Sequence, residues 1–192
     1  MDALPAGPAP APRNQMVLGA TLASIAMAML TGGMLAIWAL ERREAIDAAG
    51  TWLPSSVTIP EVPSNIMLIA FLATATFAHW AIWSAKHGDR GHTVFALAAT
   101  GFVGVLIVNA QLFIYSQMDL PITEGRYGSM FFAVTGTFVV LMVAGIVFSL
   151  VAMFRYLGGR TGEPEILTAH AIFWYGLAAV FTAIWFVVYV TK

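Results

Sequence analysis

The chain has no cysteine, so it can form no disulfide, thiolate metal site, iron–sulfur cluster or covalent haem link. It has little charge. Asp, Glu, Lys and Arg make up 10% of its 192 residues, against roughly a quarter in a soluble domain. Lys and Arg nowhere form a run and the formal net charge is −1, which argues against nucleic acid as a partner. No glycine-rich phosphate loop is present, so ATP-driven work by this chain alone is not expected. Alternating strand patterns are also missing, and with them the signature of a membrane barrel.

What is present is apolar. Hydrophobic residues account for 59% of the chain and the mean hydropathy is +0.81. The nineteen charged residues gather in short clusters, leaving five charge-free runs at 14–40, 62–85, 91–118, 127–154 and 166–191. About 20 apolar residues at 1.5 Å each cross a ~30 Å hydrocarbon core. Each run crosses once, and none crosses twice. The pattern predicts an all-α, polytopic membrane bundle of five transmembrane helices, near 15–40, 64–85, 92–116, 127–155 and 166–190. Residues 1–13, rich in Pro and Ala, are expected to be a disordered tail rather than a signal peptide. Residues 14–192 then form one transmembrane domain, whose first helix should end at the charge cluster of residues 41–44. Ser64 or Asn65 is expected to cap the second helix.

Five spans put the termini on opposite faces. Arg13, Lys86, Arg90, Arg155 and Arg160 fall on the N-terminal face, and Arg42, Arg43, Arg126 and Lys192 on the other. The positive-inside rule therefore favours a cytoplasmic N-terminus.

Charged side chains inside a bilayer mark ion or proton paths. The five runs hold none, which disfavours a self-contained pump. Polar side chains remain. Gly32 and Gly33, mid-span, would let another helix approach closely. Asn109 and Gln111 point to different sides of the third helix, and most of the Thr and Ser side chains should bond their own helix. His79 and His170 sit at comparable depth on different helices. They are either packing histidines or the ligand pair of a b-type haem.

Several spaced fragments run from Trp52 to the C-terminus. They are Trp52-x-Pro54 with Pro60, Pro63 and Asn65; Ser84-Ala85-x-x-Gly88-Asp89; Gln111 with Tyr115; Tyr127-Gly128-Ser129-x-Phe131-x-x-x-Thr135-Gly136; and Trp174 with Tyr189. This pattern resembles subunit III of the haem–copper cytochrome c oxidases, in its short five-helix bacterial form. Where that family has ionisable residues, this chain has Ile114, Phe138, Leu141 and the stretch Trp174-Tyr175-Gly176-Leu177-Ala178, and its first run contains no acid. It resembles a divergent member.

The resemblance implies a non-catalytic subunit of a respiratory terminal oxidase with no cofactor of its own. It would pack against subunit I- and II-like membrane proteins that carry haem and copper. It would also bind phospholipid, support proton uptake, and lie as a multi-pass protein in the inner (plasma) membrane. Arg155, Arg160 and Arg90 are the expected lipid head-group contacts. Gly32, Gly33, Gln111, Tyr115, Thr135, Gly136 and Trp174 are the expected positions for packing on partner helices. Two rivals stay open: a di-histidine b-haem electron-transfer subunit using His79 and His170, and a scaffold of another membrane complex.

Overall fold

A computed structural model describes residues 14–54, 57–118, 125–161 and 164–191. The expected disordered tail at 1–13 lies outside the described residues. The described residues form five helices and no strand: α1 Gln15–Ala49, α2 Glu61–Lys86, α3 Arg90–Gln117, α4 Gly125–Leu157 and α5 Glu165–Ile184. A π-helical segment, Trp185–Val190, continues α5. All five, α5 together with that segment, are long and apolar enough to cross a membrane.

The helix bounds differ from the sequence reading where local chemistry overrides hydropathy. α1 does not stop at residues 41–44 but runs to Ala49. Those charges end the apolar run, yet Glu, Arg and Ala all favour helix. Termination waits for Gly50, whose left-handed φ of 73° closes the last turn through its N–H to the Ile46 carbonyl, 2.8 Å. α2 starts at Glu61 rather than Ser64, with Pro60 at its cap. Pro63 is tolerated in the first turn, where an N–H has no helical partner. Ser64 does not cap; it is buried and donates to the Glu61 carbonyl. Asp89 caps α3, its carboxylate accepting from the His92 N–H at 3.0 Å.

α2, α3, α4 and α5 form a closed ring, each packed on the next, and α1 lies against the outside of α5 with a smaller contact to α4. α1 accordingly buries one stripe, Ala20, Met27, Thr31, Leu35 and Trp38. Polar ties fix which helix ends lie together. The Glu165 carboxylate accepts from the Met16 and Val17 N–H groups at 2.6 and 3.2 Å, capping an α1 that its own Asn14 leaves uncapped. At the other end Arg126 reaches Glu41 and Glu44 at 3.0 and 3.2 Å. Arg42 there donates to the Thr191 carbonyl at 2.7 Å.

Candidate functional site

The most constrained point of the bundle is a slot filled by one indole. Trp174 of α5 is fully buried and lies between Gly104 of α3 and Gly145 of α4. A Cβ on Gly104 would stand 2.6 Å from its Cη2, and one on Gly145 3.4 Å from its Cζ2 and 2.8 Å from Leu177 Cδ1. Both glycines are there for closeness of approach. The Trp174 Nε1 donates to Ser149 Oγ at 3.0 Å, and His170 Nε2 lies 2.8 Å from the same oxygen. Ser149 Oγ also reaches the Gly145 carbonyl at 3.1 Å. A hydroxyl has one proton and two lone pairs. All three contacts are therefore met at once when His170 carries its proton on Nε2. His170 Nδ1 is then left as a buried acceptor without a partner among the described residues.

This placement bears on the paired-histidine rival. His170 turns toward α4, with Phe148 edge-on to its ring. His79 is exposed on α2 and faces Tyr175, its Nδ1 lying 3.4 Å from the Tyr175 hydroxyl. Tyr175 follows His170 by five residues, roughly 140° around α5. The two imidazoles thus lie on different sides of α5, and the pair does not fit a shared haem. Among the described residues, no group of three or more His, Cys, Asp or Glu side chains gathers as a metal site.

A second polar layer lies toward the other end. Tyr189 donates to Gln111 Oε1 at 2.9 Å and Tyr115 to Thr135 Oγ1 at 2.8 Å, the latter hydroxyl also bonding the Phe131 carbonyl. The π-helical segment offsets the register that brings Tyr189 here and also directs Trp185 Nε1 to Asn65 Oδ1, 2.9 Å. Trp38, Trp52 and Tyr127 close this end as a triangle of rings with centroids 5.2–5.5 Å apart. Such edge-on pairs add about 0.5–1.5 kcal/mol each beyond burial.

The expected packing positions therefore divide. Gln111, Thr135 and Trp174 are fully buried inside this chain and Tyr115 is half-buried with them. Their contacts go to helices of their own bundle, because small and polar residues here hold α3, α4 and α5 together. Gly32, Gly33 and Gly136 instead border open space, with nothing within 4 Å of an added Cβ. Asn109 is exposed while Gln111 is buried, as their spacing on α3 requires.

The expected lipid-facing arginines lie at the opposite end. Arg160 is exposed and Arg155 half-exposed. The Arg90 guanidinium donates to the Leu157 carbonyl, so it satisfies the end of α4, where a cation is favoured. Beside it a cleft of about 370 Å³ is lined by Gly88, Arg90, Thr93, Tyr156, Gly159 and Thr161 among others. At the α3 cap the His92 N–H, above all, and the His92 side chain hold the Asp89 carboxyl below its ordinary value of 3.8. Gly104 and Gly145 were not singled out in the sequence; Glu165 was expected to open α5, which it does, but its cap on α1 was not foreseen. The slot leaves traces in the sequence as the small-residue spacings Gly101-x-x-Gly104 and Gly145-x-x-x-Ser149.

Comparison with known proteins places this architecture. A sequence model described as cytochrome c oxidase subunit III matches residues 24–192. Cytochrome c oxidase subunit 3 of Bos taurus is 30% identical over 132 residues, covering 67% of this chain and 50% of the relative. Its counterpart from Arabidopsis thaliana is 30% identical over 138 residues, 68% of this chain and 51% of the relative. That from Prototheca wickerhamii is 28% identical over 135 residues, 68% and 50%. The chain spans about half the length of the curated relatives it matches.

Proposed function

This chain belongs to the cytochrome c oxidase subunit III family, and from that premise we propose that it is a non-catalytic subunit of a respiratory terminal oxidase complex in the inner (plasma) membrane. The observation that carries the reading is the family match over residues 24–192, which spans all five helices except the first turns of α1. The interior supports it. Polar side chains in it bond between helices, Trp174 to Ser149 and Tyr189 to Gln111, as in a body built for packing. Haem and copper would reside in subunit I- and II-like partners. A tagged copy of the full chain, purified in mild detergent, should bring down membrane proteins of those two kinds. Recovery without any haem protein would overturn the proposal.

Two finer points belong to the same proposal. Gly32, Gly33 and Gly136, open to the surroundings, are the positions at which partner helices come closest. Arg155 and Arg160 contact lipid phosphate, the Arg155 stem lying along the tails while its head reaches the phosphate level. Arg90 contributes less, since the Leu157 carbonyl already engages it. Arg155→Ala should reduce the phospholipid retained by the purified complex without changing its haem spectrum; unchanged lipid would count against this role. The N-terminus is cytoplasmic on the five-to-four bias of Lys and Arg. Reporter fusions at Gly50 and Gly125 should be exported and one at Gly159 retained, and the reverse would overturn the orientation.

A further inference from the structure

The outward side of α2 and α5 carries a groove that the packing of the bundle does not use. It has a volume of about 500 Å³ and is lined by Ala75, Thr76, His79, Trp80, Trp83 and Tyr175. His79 and Tyr175 are 96 residues apart in sequence but meet at 3.4 Å. Trp83 is 54% exposed and Tyr175 40% exposed, so the groove opens sideways. His79 is seven residues from the end of α2 at Lys86, roughly 10 Å along the axis. That depth lies just inside a ~30 Å hydrocarbon core. A histidine presented to lipid at such a depth is costly unless it has a polar partner, and points by default to a site.

The lining selects among occupants. None of its residues carries a permanent charge, so it offers no cation to a phosphate head-group; Lys86, Arg155 and Arg160 are not part of it. Two indoles offer flat apolar faces for a ring to stack on. When the Tyr175 hydroxyl donates to His79 Nδ1, the proton of His79 is fixed on Nε2. That N–H has no partner among the described residues, and the phenol oxygen keeps its acceptor capacity. The sideways opening lets an apolar tail leave along α2 into the bilayer.

We propose that this groove binds a neutral, lipid-soluble ring compound bearing carbonyl or hydroxyl groups, of the quinone or quinol class. The ring stacks on Trp80 or Trp83, and its oxygen takes the His79 N–H or meets the Tyr175 hydroxyl. The site is one of binding and involves no redox step in this chain. It does not depend on the oxidase assignment, because it rests on this groove alone.

Decylubiquinone titrated into the purified full chain, in nanodiscs of phosphatidylcholine, tests it through quenching of tryptophan fluorescence. Quenching should saturate at about one quinone per chain. His79→Leu and Tyr175→Phe should each weaken binding about three- to tenfold, the effect of one lost hydrogen bond. Both side chains are exposed, so neither substitution disturbs the core. Added phosphatidylglycerol should leave the curve unchanged. Quenching that rises without saturation, variant curves that coincide with that of the unsubstituted chain, or displacement by phosphatidylglycerol would each overturn the proposal.

Discussion

At the scale of single residues, the bundle turns on how closely backbones can approach Trp174. Gly104→Ala would force a methyl to 2.6 Å from the indole, and a rigid ring cannot yield as a flexible chain end would. Overpacking of this kind costs about 1–3 kcal/mol. Denaturation in mixed micelles should show that loss, and Gly104→Ala should cost less when made in Trp174→Phe, which lacks Cη2, than in the unsubstituted chain. An equal cost in both backgrounds would show that the slot is not where the strain arises. Trp174 was expected to pack on partner helices, and it packs inside its own bundle instead. Its partners were not legible, because a glycine that receives a ring looks the same in sequence as Gly32 or Gly33, which receive nothing among the described residues. Only the rotation of α3 and α4 about their axes separates the two cases, and that rotation is set by tertiary packing. His170 shows the same limit. Its position in the first turns of α5 followed from counting residues, but the side of α5 it faces depended on Ser149.

The apolar runs identified all five α-helices among the described residues, and the errors fell at their ends. Hydropathy reports where the membrane stops, whereas helix termination follows cap chemistry. α1 therefore passes its charge cluster and stops at Gly50, and α2 begins at Glu61. The π-helical segment left no trace in Trp185–Val190, which contains neither Gly nor Pro. The cap of α3 gives a testable pH dependence. The folded Asp89 carboxyl titrates below its ordinary 3.8, so its contribution is complete above that value and disappears as pH falls through the lowered folded one. Hydrogen exchange at the start of α3, corrected for intrinsic rates, should show protection at pH 5 that declines toward pH 3. Asp89→Asn should remove that decline, since the amide still accepts from the His92 N–H but does not titrate. An undiminished decline in Asp89→Asn would assign it to another group.

For the whole molecule, α1 is the least enclosed helix, held by one buried stripe and by polar ties at its two ends. Its glycines Gly32 and Gly33, like Gly136 of α4, border open space among the described residues. The family was legible from scattered fragments because they lie at helix ends and packing positions, which the scaffold constrains. The expected ionisable positions were replaced by Ile114, Phe138 and Leu141, and the interior is accordingly held by neutral hydrogen bonds. The most direct test of the central claim is to measure where haem goes when the complex is taken apart. The tagged chain should be purified with its partners, stripped from them in stronger detergent, and both fractions read by reduced-minus-oxidised spectra. All haem should stay with the partner proteins, and His79→Ala and His170→Ala should leave the total unchanged. Haem remaining on the stripped chain, and lost in either histidine variant, would contradict that claim.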